Sequence, residues 1–290
     1  MRIATRRWGL RLVSPWLVTL GVFWLFPLGY ALTLSFSEFD LLSGAARWVG
    51  LENYRAIFAD PAFHDALRNT LIFSVGTIPL TQLLALGLAL LAHGEYPGRG
   101  VFRSAFFLPS VTSLVVVALI FSAFFSREGY VVWLCSLVGV TAPAHGFLLD
   151  SSTALYSIMA MDIWMASGFY MLLILAGLEA IPTELYEAAR LAGASATRQF
   201  FSITLPLMRP MILFCIVINT IKSLQVFVEI FVMTKGKYDT STAVWYVYDT
   251  GLVQFDFGLA CAAAYTLFVV IAIISLLQFV VLRRPAVNVV

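Results

Sequence analysis

The sequence predicts an all-α, polytopic membrane protein with six transmembrane helices, and two observations lead to that prediction. Of its 290 residues, 61% are hydrophobic and only 12% are charged, whereas charged residues make up about 25% of a typical soluble domain. A helix needs about 20 consecutive apolar residues to cross the hydrocarbon layer of a membrane. Six runs of that length occur, at residues 15–35, 70–92, 102–125, 155–178, 207–232 and 257–282. We therefore expect a single transmembrane domain over residues 1–290.

The distribution of Lys and Arg predicts the direction of these helices. Eleven basic residues lie on one face, at the amino terminus (1–14), in the loops at 93–103 and 179–209, and at the carboxyl end (283–290). Six lie on the other face, in the loops at 36–69, 126–154 and 233–256. Because cytoplasmic loops are enriched in Lys and Arg, we expect both termini to be cytoplasmic. The first run is long enough to span and lacks a clear cleavage site, so an uncleaved helix is favoured over a signal peptide.

Several function classes find no support in the residues. The net charge is +2 and the basic residues are scattered, so no nucleic-acid-binding stripe is formed. Three cysteines and three histidines lie apart, without the spacing of a disulfide or a metal site. No string fits the phosphate-binding pattern Gly-x-x-x-x-Gly-Lys-Ser/Thr, and no catalytic triad or carboxylate pair stands out. We predict that the chain is not an enzyme and that it binds neither a cofactor nor a metal.

The second and fourth spans contain polar and aromatic residues at helical spacing. Ser74, Thr77 and Thr81 are three and four residues apart in the second span, and hydroxyls of this kind favour helix packing over transport. The fourth span contains Asp162 and the aromatic residues Trp164, Phe169 and Tyr170. Aromatic faces stack on sugar rings, but they are also ordinary membrane residues.

The predicted cytoplasmic loop at 179–206 has the signals of two short helices with a break between them. Thr183 is a predicted N-cap, and Glu187 lies where the helix dipole favours an anion. Arg190 lies near the last turn, Gly193 supplies a left-handed stop, and Ser195 can cap the next helix. These features fit an ordinary surface helix as well as a docking helix with small side chains, so the residues alone leave both interpretations open.

The fifth span carries a polar stripe. Asn219, Lys222, Ser223, Val226 and Glu229 follow offsets of 3, 4, 7 and 10 and share one face of a continuous helix. A charge at the centre of a membrane helix costs roughly 2.5–3.5 kcal/mol, so such residues indicate a cavity or a partner. We predict that Asn219, Lys222, Ser223 and Glu229, with Asp162, line a substrate path. An internal ion pair between Lys222 and Asp162 is the alternative.

The loop residues also carry a resemblance to a known family. Glu187-Ala188-Ala189, then Gly193, then Ile203 and Leu205-Pro206 resemble the EAA loop of the permease subunits of ATP-binding-cassette (ABC) importers. The resemblance implies the type I importer permease fold, in which this loop is the coupling helix that inserts into a cleft of the ATPase subunit. The residues that it assigns to this contact are Glu187, Ala188, Ala189, Arg190 and Gly193.

Other segments are similar to the carbohydrate-uptake type of this family, which includes maltose and glycerol-phosphate permeases. They are residues 48–54 with 69–70, Arg103 with 106–109, and residues 176–182. One departure is residues 235–237, Lys-Gly-Lys, where that type has a glycine-rich turn that ends in proline.

The family implies the partners and the location. A second, homologous permease subunit would complete the pore in a bacterial or archaeal cytoplasmic membrane. Two copies of an ATPase would bind ATP and Mg, and an extracytoplasmic solute-binding protein would deliver a carbohydrate.

Two alternatives remain at this point. The same fold would serve an importer of glycerol-phosphate compounds or polyols, in which Lys222 would help an anionic cargo. A secondary transporter driven by an ion gradient would use Asp162 and Glu229 as coupling carboxylates, but it leaves the loop from Glu187 to Gly193 unexplained.

Overall fold

A computed structural model of the chain describes residues 12–40 and 44–282. Most of the predicted cytoplasmic amino terminus (1–14) and the whole carboxyl end (283–290) lie outside the described residues. Its helices are α1 Leu12–Ser35, α2 Glu52–Ala59, α3 Pro61–Ala92, α4 Arg99–Val111, α5 Leu114–Phe124, α6 Tyr130–Leu137, α7 Ala154–Glu179, α8 Thr183–Leu191, α9 Ala196–Gln199, α10 Leu205–Leu224, α11 Val228–Met233, α12 Ala243–Tyr248 and α13 Phe257–Leu282.

The long helices confirm the polytopic all-α fold. Within the described residues, five helical segments are long and apolar enough to cross a membrane: α1, α3, α7, the segment Ala196–Met233 and α13. The bent pair of α4 and α5 makes a sixth if it counts as one span. Large apolar side chains on these helices face outward, for example Val75, which is 72% exposed, and Leu276, which is 64% exposed. Such surfaces suit lipid rather than water.

The chain divides into two compact units. The first contains residues 1–64 and 246–268, and the second contains residues 65–245 and 269–290. The helices α3 and α13 each contribute residues to both units. The two units are described separately below.

The first unit contains an antiparallel hairpin of two short strands, β1 Ser37–Asp40 and β2 Ala45–Trp48, in which Ser37 pairs with Trp48. The Asn53 side chain donates hydrogen bonds of 3.0 Å to the carbonyl oxygens of Ser35 and Ser37. Gly258 lies against the Ser37 carbonyl as well, because a Cβ added at Gly258 would be 2.3 Å from that oxygen. The sequence predicted only a loop in this region, so the small hairpin is an addition to the all-α fold.

The second unit has an apolar core shared by α3, α7 and α10. Ala85 and Ala89 of α3, Met171 and Leu178 of α7, and Met208 of α10 are buried together in it. Alanine on one helix and longer side chains on its neighbours let the helices approach closely without large voids. This core supports the functional elements described in the next subsection.

The third predicted span is not one helix. The helices α4 and α5 meet at a bend of 95°, with Thr112 and Ser113 between them. The helix α4 ends at Val111, and the next residue, Thr112, has an extended backbone with a φ of −79° and a ψ of 153°. Pro109 lies three residues before Thr112, inside α4, and a proline disturbs the turn before it rather than the turn after it. The predicted span over 102–125 therefore consists of two helices that meet at the extended residue Thr112 and not of one continuous helix.

The fifth predicted span is also interrupted. The helix α10 ends at Leu224, and α11 begins at Val228 after a short break. The turn is closed by hydrogen bonds from the amide of Gln225 to the carbonyl of Lys222, 3.1 Å, and from the Thr242 hydroxyl to the carbonyl of Val226, 3.0 Å. The predicted fifth span at 207–232 is confirmed as part of one membrane-crossing segment, Ala196–Met233, but its helix is interrupted, because a side chain from another segment satisfies the backbone at the break.

Packing between α4 and α7 depends on a glycine. A Cβ added at Gly168 would lie 1.8 Å from the carbonyl oxygen of Phe106. We expect Gly168→Ala to lower the thermal stability of the detergent-purified protein, since overpacking against backbone costs roughly 1–3 kcal/mol or more. The midpoint of thermal unfolding, followed by fluorescence-detected size exclusion, measures this effect.

The matched control is Gly87→Ala on α3, where an added Cβ meets nothing within 4 Å. We expect this control to keep or raise the unfolding midpoint, because alanine is the better helix former. Equal midpoints for Gly168→Ala and the parent protein would contradict the close approach of α4 and α7.

Candidate functional site

The second unit contains a cavity of about 290 Å³ between its membrane-spanning helices. Its wall is formed by α3, the junction of α4 and α5, α7, α10 and α11. This volume is at the lower end of the roughly 300–1,000 Å³ that small-molecule sites occupy. The polar and charged residues of the wall are Ser110, Asp162, Tyr170, Asn219, Lys222, Ser223 and Glu229.

The cavity brings together all five residues that were predicted to line a substrate path. Asn219, Lys222 and Ser223 lie in the last turns of α10, Glu229 lies in the first turn of α11, and Asp162 lies on α7. The five residues therefore meet at a helix break and not on one face of a continuous helix. Their contact with a solute remains a prediction.

The charged residues of the wall are not joined in a direct ion pair. Among the described residues, the salt bridges do not link Lys222 with Asp162 or Glu229. The Lys222 ammonium group instead lies 5.9 Å from the centre of the Phe169 ring, within the range of a cation–π interaction. Asp162 is half-buried and Glu229 is 8% exposed. The alternative of a direct ion pair between Lys222 and Asp162 is therefore not found among the described residues.

Two buried polar groups of the wall have no hydrogen-bond partner within the described part of the chain. They are the amide nitrogen of Asn219, a residue that is 3% exposed, and the hydroxyl of Tyr170, a residue that is 1% exposed. Leaving such a group unsatisfied costs about 1–3 kcal/mol. In a cavity of this size, water or a bound solute can supply the missing partners.

One of the three hydroxyls of the second span links two helices. Ser74, Thr77 and Thr81 are all buried, and the hydroxyls of Ser74 and Thr81 have no hydrogen-bond partner among the described residues. The hydroxyl of Thr77 lies 2.8 Å from that of Ser223, so α3 and α10 share a hydrogen bond beside the cavity. Ser223 therefore has less free hydrogen-bonding capacity toward a solute than its neighbours Asn219 and Lys222.

The loop at 179–206 forms the two helices that its sequence predicts. Ala194 and Gly193 donate to the carbonyls of Ala189 and Arg190, both at 2.9 Å, which is the pattern of a Schellman motif. Gly193 has a φ of 77°, so its left-handed stop is confirmed. The Ser195 hydroxyl accepts from the amide of Arg198 at 3.3 Å and caps α9, as predicted.

One capping prediction in this loop was wrong. The helix α8 begins at Thr183, and Pro182 takes the N-cap position without a side-chain hydrogen bond. Proline fixes the entry of the chain into the helix by its restricted φ, so Thr183 falls inside the first turn.

One face of α8 packs against the protein, and the opposite face is exposed. Leu185 and Tyr186 pack against the core of α3, α7 and α10, and the Tyr186 hydroxyl lies 2.8 Å from that of Thr204. On the other face, Glu187 and Arg190 are exposed and Leu191 is 92% exposed. A nearly fully exposed leucine next to charged residues is a feature of a protein-docking surface.

A salt bridge fixes the root of this loop. Arg103 of α4 pairs with Glu179 at the end of α7 at 2.9 Å, and it also donates to the carbonyl of Ala92 at 2.9 Å. The arginine, the fifth residue of α4, thus joins this helix to the ends of α3 and α7, and Glu179 lies three residues before Pro182. The Arg103 side chain is 25% exposed and that of Glu179 is 51% exposed, so solvent screens part of their attraction.

Comparison with known proteins identifies the family. A sequence profile described as "Binding-protein-dependent transport system inner membrane component" matches residues 82–287. The chain belongs to this family.

Relatives match nearly the whole length of this permease. The lactose transport system permease protein LacF of Rhizobium radiobacter is 32% identical over 281 residues, which cover 94% of this chain and 93% of that protein. The sn-glycerol-3-phosphate transport system permease protein UgpA of Agrobacterium fabrum is 30% identical, with 92% of each chain covered. A chain in the crystal structure of a bacterial ABC transporter involved in the import of the acidic polysaccharide alginate superposes with a TM-score of 0.86, at 26% identity and 99% coverage of both chains.

These matches confirm the resemblance to ABC importer permeases and the type I importer fold. The family consists of transport permease subunits and not of enzymes. Together with the long apolar helices, it makes this permease a multi-pass membrane protein.

Sequence reasoning did not select two residues of this permease that the structure makes prominent. Leu191 was overlooked because an apolar residue in an amphipathic helix is normally assigned to the packed face, although its place between Arg190 and the predicted stop offered a signal. Ser110 reaches the cavity only because the third span bends beside it. No local pattern marks residues 112 and 113 as the place of that bend, since Pro109 lies inside α4.

The left-handed stop after α8 gives a test of the loop geometry. An added Cβ at Gly193 meets nothing within 4 Å, so Gly193→Ala introduces only the backbone cost of a left-handed alanine, about 1 kcal/mol. We expect hydrogen exchange at the amides of residues 193 and 194 to become roughly fivefold faster, as measured by mass spectrometry on the purified permease.

The control is Gly193→Asn, because asparagine tolerates the left-handed conformation better than alanine. We expect its exchange rates to stay close to those of the parent. Unchanged exchange in the alanine variant would show that the Schellman motif does not depend on Gly193.

Proposed function

We propose that this chain forms half of the translocation path of an ABC importer for a carbohydrate, with a second, homologous permease as the other half. The observation that carries the proposal is the polar cavity between the membrane-spanning helices of the second unit. A polar wall inside such helices is expensive unless it serves a water-filled path or a solute. The names of relatives, which include lactose, support a carbohydrate as the cargo.

The helix α8 is the proposed coupling helix. Its exposed Glu187, Ala188, Arg190 and Leu191 would enter the ATPase subunit, and the half-buried Ala189 would let the partner approach the helix closely. The stop at Gly193 then sets the direction of the following helix. ATP and Mg would bind to two ATPase copies and not to this chain.

A continuous helical path connects the proposed coupling helix with the cavity. The helix α9, a π-helical turn at Phe200–Thr204 and α10 follow one another without a gap from Ala196 to Leu224. Near its start the path is tied to α8 by the hydrogen bond between Tyr186 and Thr204, and its far end carries Asn219, Lys222 and Ser223. A displacement of α8 by the ATPase would therefore move the wall of the cavity directly.

The remaining parts of the proposal follow from the same assembly. Both termini and α8 would face the cytoplasm, as the Lys and Arg distribution predicts. An extracytoplasmic solute-binding protein would deliver the carbohydrate from the other side. Membership in a binding-protein-dependent family argues against a secondary transporter driven by an ion gradient, although Asp162 and Glu229 lie in the cavity.

Reconstitution tests the function. The permease is purified together with its sister subunit and ATPase, placed in liposomes, and supplied with the solute-binding protein and radiolabelled oligosaccharides. We expect uptake that requires ATP and the binding protein. Full uptake without an ATPase, driven by an ion gradient alone, would contradict the proposal.

The double variant Glu187→Lys with Leu191→Ala tests the coupling helix. It reverses a charge and removes an exposed apolar anchor, and loss of a docking anchor costs about 2 kcal/mol or more. We therefore expect uptake and solute-stimulated ATP hydrolysis to fall at least about tenfold, with the ATPase lost from the purified complex.

The matched control is Leu137→Ala, which removes another exposed leucine, 63% exposed, from the end of α6. We expect uptake within about twofold of the parent complex. Normal uptake by the double variant would contradict the proposed role of α8 as the coupling helix.

A further inference from the structure

We propose that the cavity of the second unit admits uncharged, polyhydroxylated solutes and discriminates against anionic ones. This inference rests on the proposed function and adds the charge class of the cargo. The juxtaposition that carries it is two carboxylates, Asp162 and Glu229, with one ammonium group, Lys222, beside two buried polar groups that lack partners.

The wall contains two acidic side chains and one basic side chain. With Asp162, Glu229 and Lys222 all ionised, its formal charge is −1. These residues come from α7, α11 and α10, and they surround the space from different sides. An anionic solute would approach two like charges in a region of reduced dielectric constant, where repulsion is stronger than in water.

Lys222 is a poor anion receptor in this setting. It is the one basic residue in the described wall of the cavity, and its ammonium group lies over the Phe169 ring. Protein sites that select carboxylates or phosphates usually combine arginine side chains or several backbone amides. With two carboxylates in the same wall, the field of this single lysine is already offset.

The same groups suit a neutral sugar. The two carboxylates accept hydrogen bonds from hydroxyls, and the Lys222 ammonium and the free Asn219 amide donate to ring or hydroxyl oxygens. The buried Tyr170 hydroxyl can do either. Phe169 is 37% exposed, so its ring offers an apolar face to the CH groups of a sugar.

Family membership does not decide the charge of the cargo. The relatives named above carry the names of both uncharged and anionic solutes, lactose on one side and sn-glycerol-3-phosphate and alginate on the other. The inference therefore depends on the wall residues of this permease alone.

The first test measures the field of the cavity without any transported solute. Ser110→Cys is introduced into the full complex after replacement of the three native cysteines, and a neutral and an anionic methanethiosulfonate reagent of similar size are compared. The reference position is Leu137→Cys on the exposed end of α6. We expect the ratio of neutral to anionic rates to be at least about tenfold larger at residue 110 than at residue 137.

Charge variants make this result specific. Asp162→Asn and Glu229→Gln, each alone and together, should reduce the ratio toward that of the reference, whereas Lys222→Gln should increase it. Single variants keep the test usable if the double variant fails to fold. Equal ratios at residues 110 and 137 would overturn the inference. So would a ratio at residue 110 that stays the same in all of these charge variants.

The second test uses transport. Uptake of neutral gluco-oligosaccharides of two to four units is compared with that of galacturonate oligosaccharides of the same length in proteoliposomes that hold the complete complex. We expect at least about a tenfold preference for the neutral series. Preferred uptake of the galacturonates would overturn the charge inference while the proposed importer function stands.

The two tests distinguish a failure of the charge inference from a failure of the proposed importer function. Charge-selective labelling at residue 110 without ATP-dependent uptake of any oligosaccharide would leave the inference in place and contradict the carbohydrate importer. Uptake of oligosaccharides with no charge-selective labelling would support the carbohydrate importer and overturn the charge inference.

Discussion

Every backbone amide and carbonyl within a bilayer must find its hydrogen-bond partner inside the protein, because lipid offers none. This constraint explains where the spans of the permease are interrupted. The break between α4 and α5 and the break between α10 and α11 both border the same cavity, through Ser110 and Leu114 on one side and Val226 on the other. At the second break, the Thr242 hydroxyl supplies the partner of the Val226 carbonyl. Two broken spans and several polar side chains therefore share one interior location, whereas large apolar side chains cover much of the outer surface of the spans.

The features that were predictable from the sequence are those decided by local chemistry. Runs of about 20 apolar residues define the spans because the hydrocarbon thickness sets one length for all of them. The stop at Gly193 and the cap at Ser195 depend only on neighbouring residues, and both appear as expected. Thr183 was misassigned by one position because Pro182 also fixes a helix start.

The features that were missed depend on tertiary contacts. Helical periodicity correctly placed Asn219, Lys222 and Ser223 together, since all three lie on the uninterrupted α10. Glu229 reaches the same cavity across a break at residues 225–227, where the sequence contains neither glycine nor proline. That break is stabilised by a threonine 16 residues away from Val226, so no local pattern indicates it. The bend at residues 112–113 lies after Pro109, which is inside α4, and a proline disturbs the turn before it, so this proline does not mark the position of the bend.

Scaffold and selectivity use different residues in this permease. The core of α3, α7 and α10 is held by apolar packing, and the loop at 179–206 is held by its caps, by the pair of Arg103 with Glu179 and by the contact of Tyr186 with Thr204. Tyr170 and Ala166 pack with the core and also line the cavity, whereas the three charged side chains of the wall, Asp162, Lys222 and Glu229, are not part of that core. A change at one of these three residues would therefore alter the charge of the cavity while the core and the loop at 179–206 keep their geometry. This separation gives a physical reason why relatives of one fold carry the names of solutes with different charges.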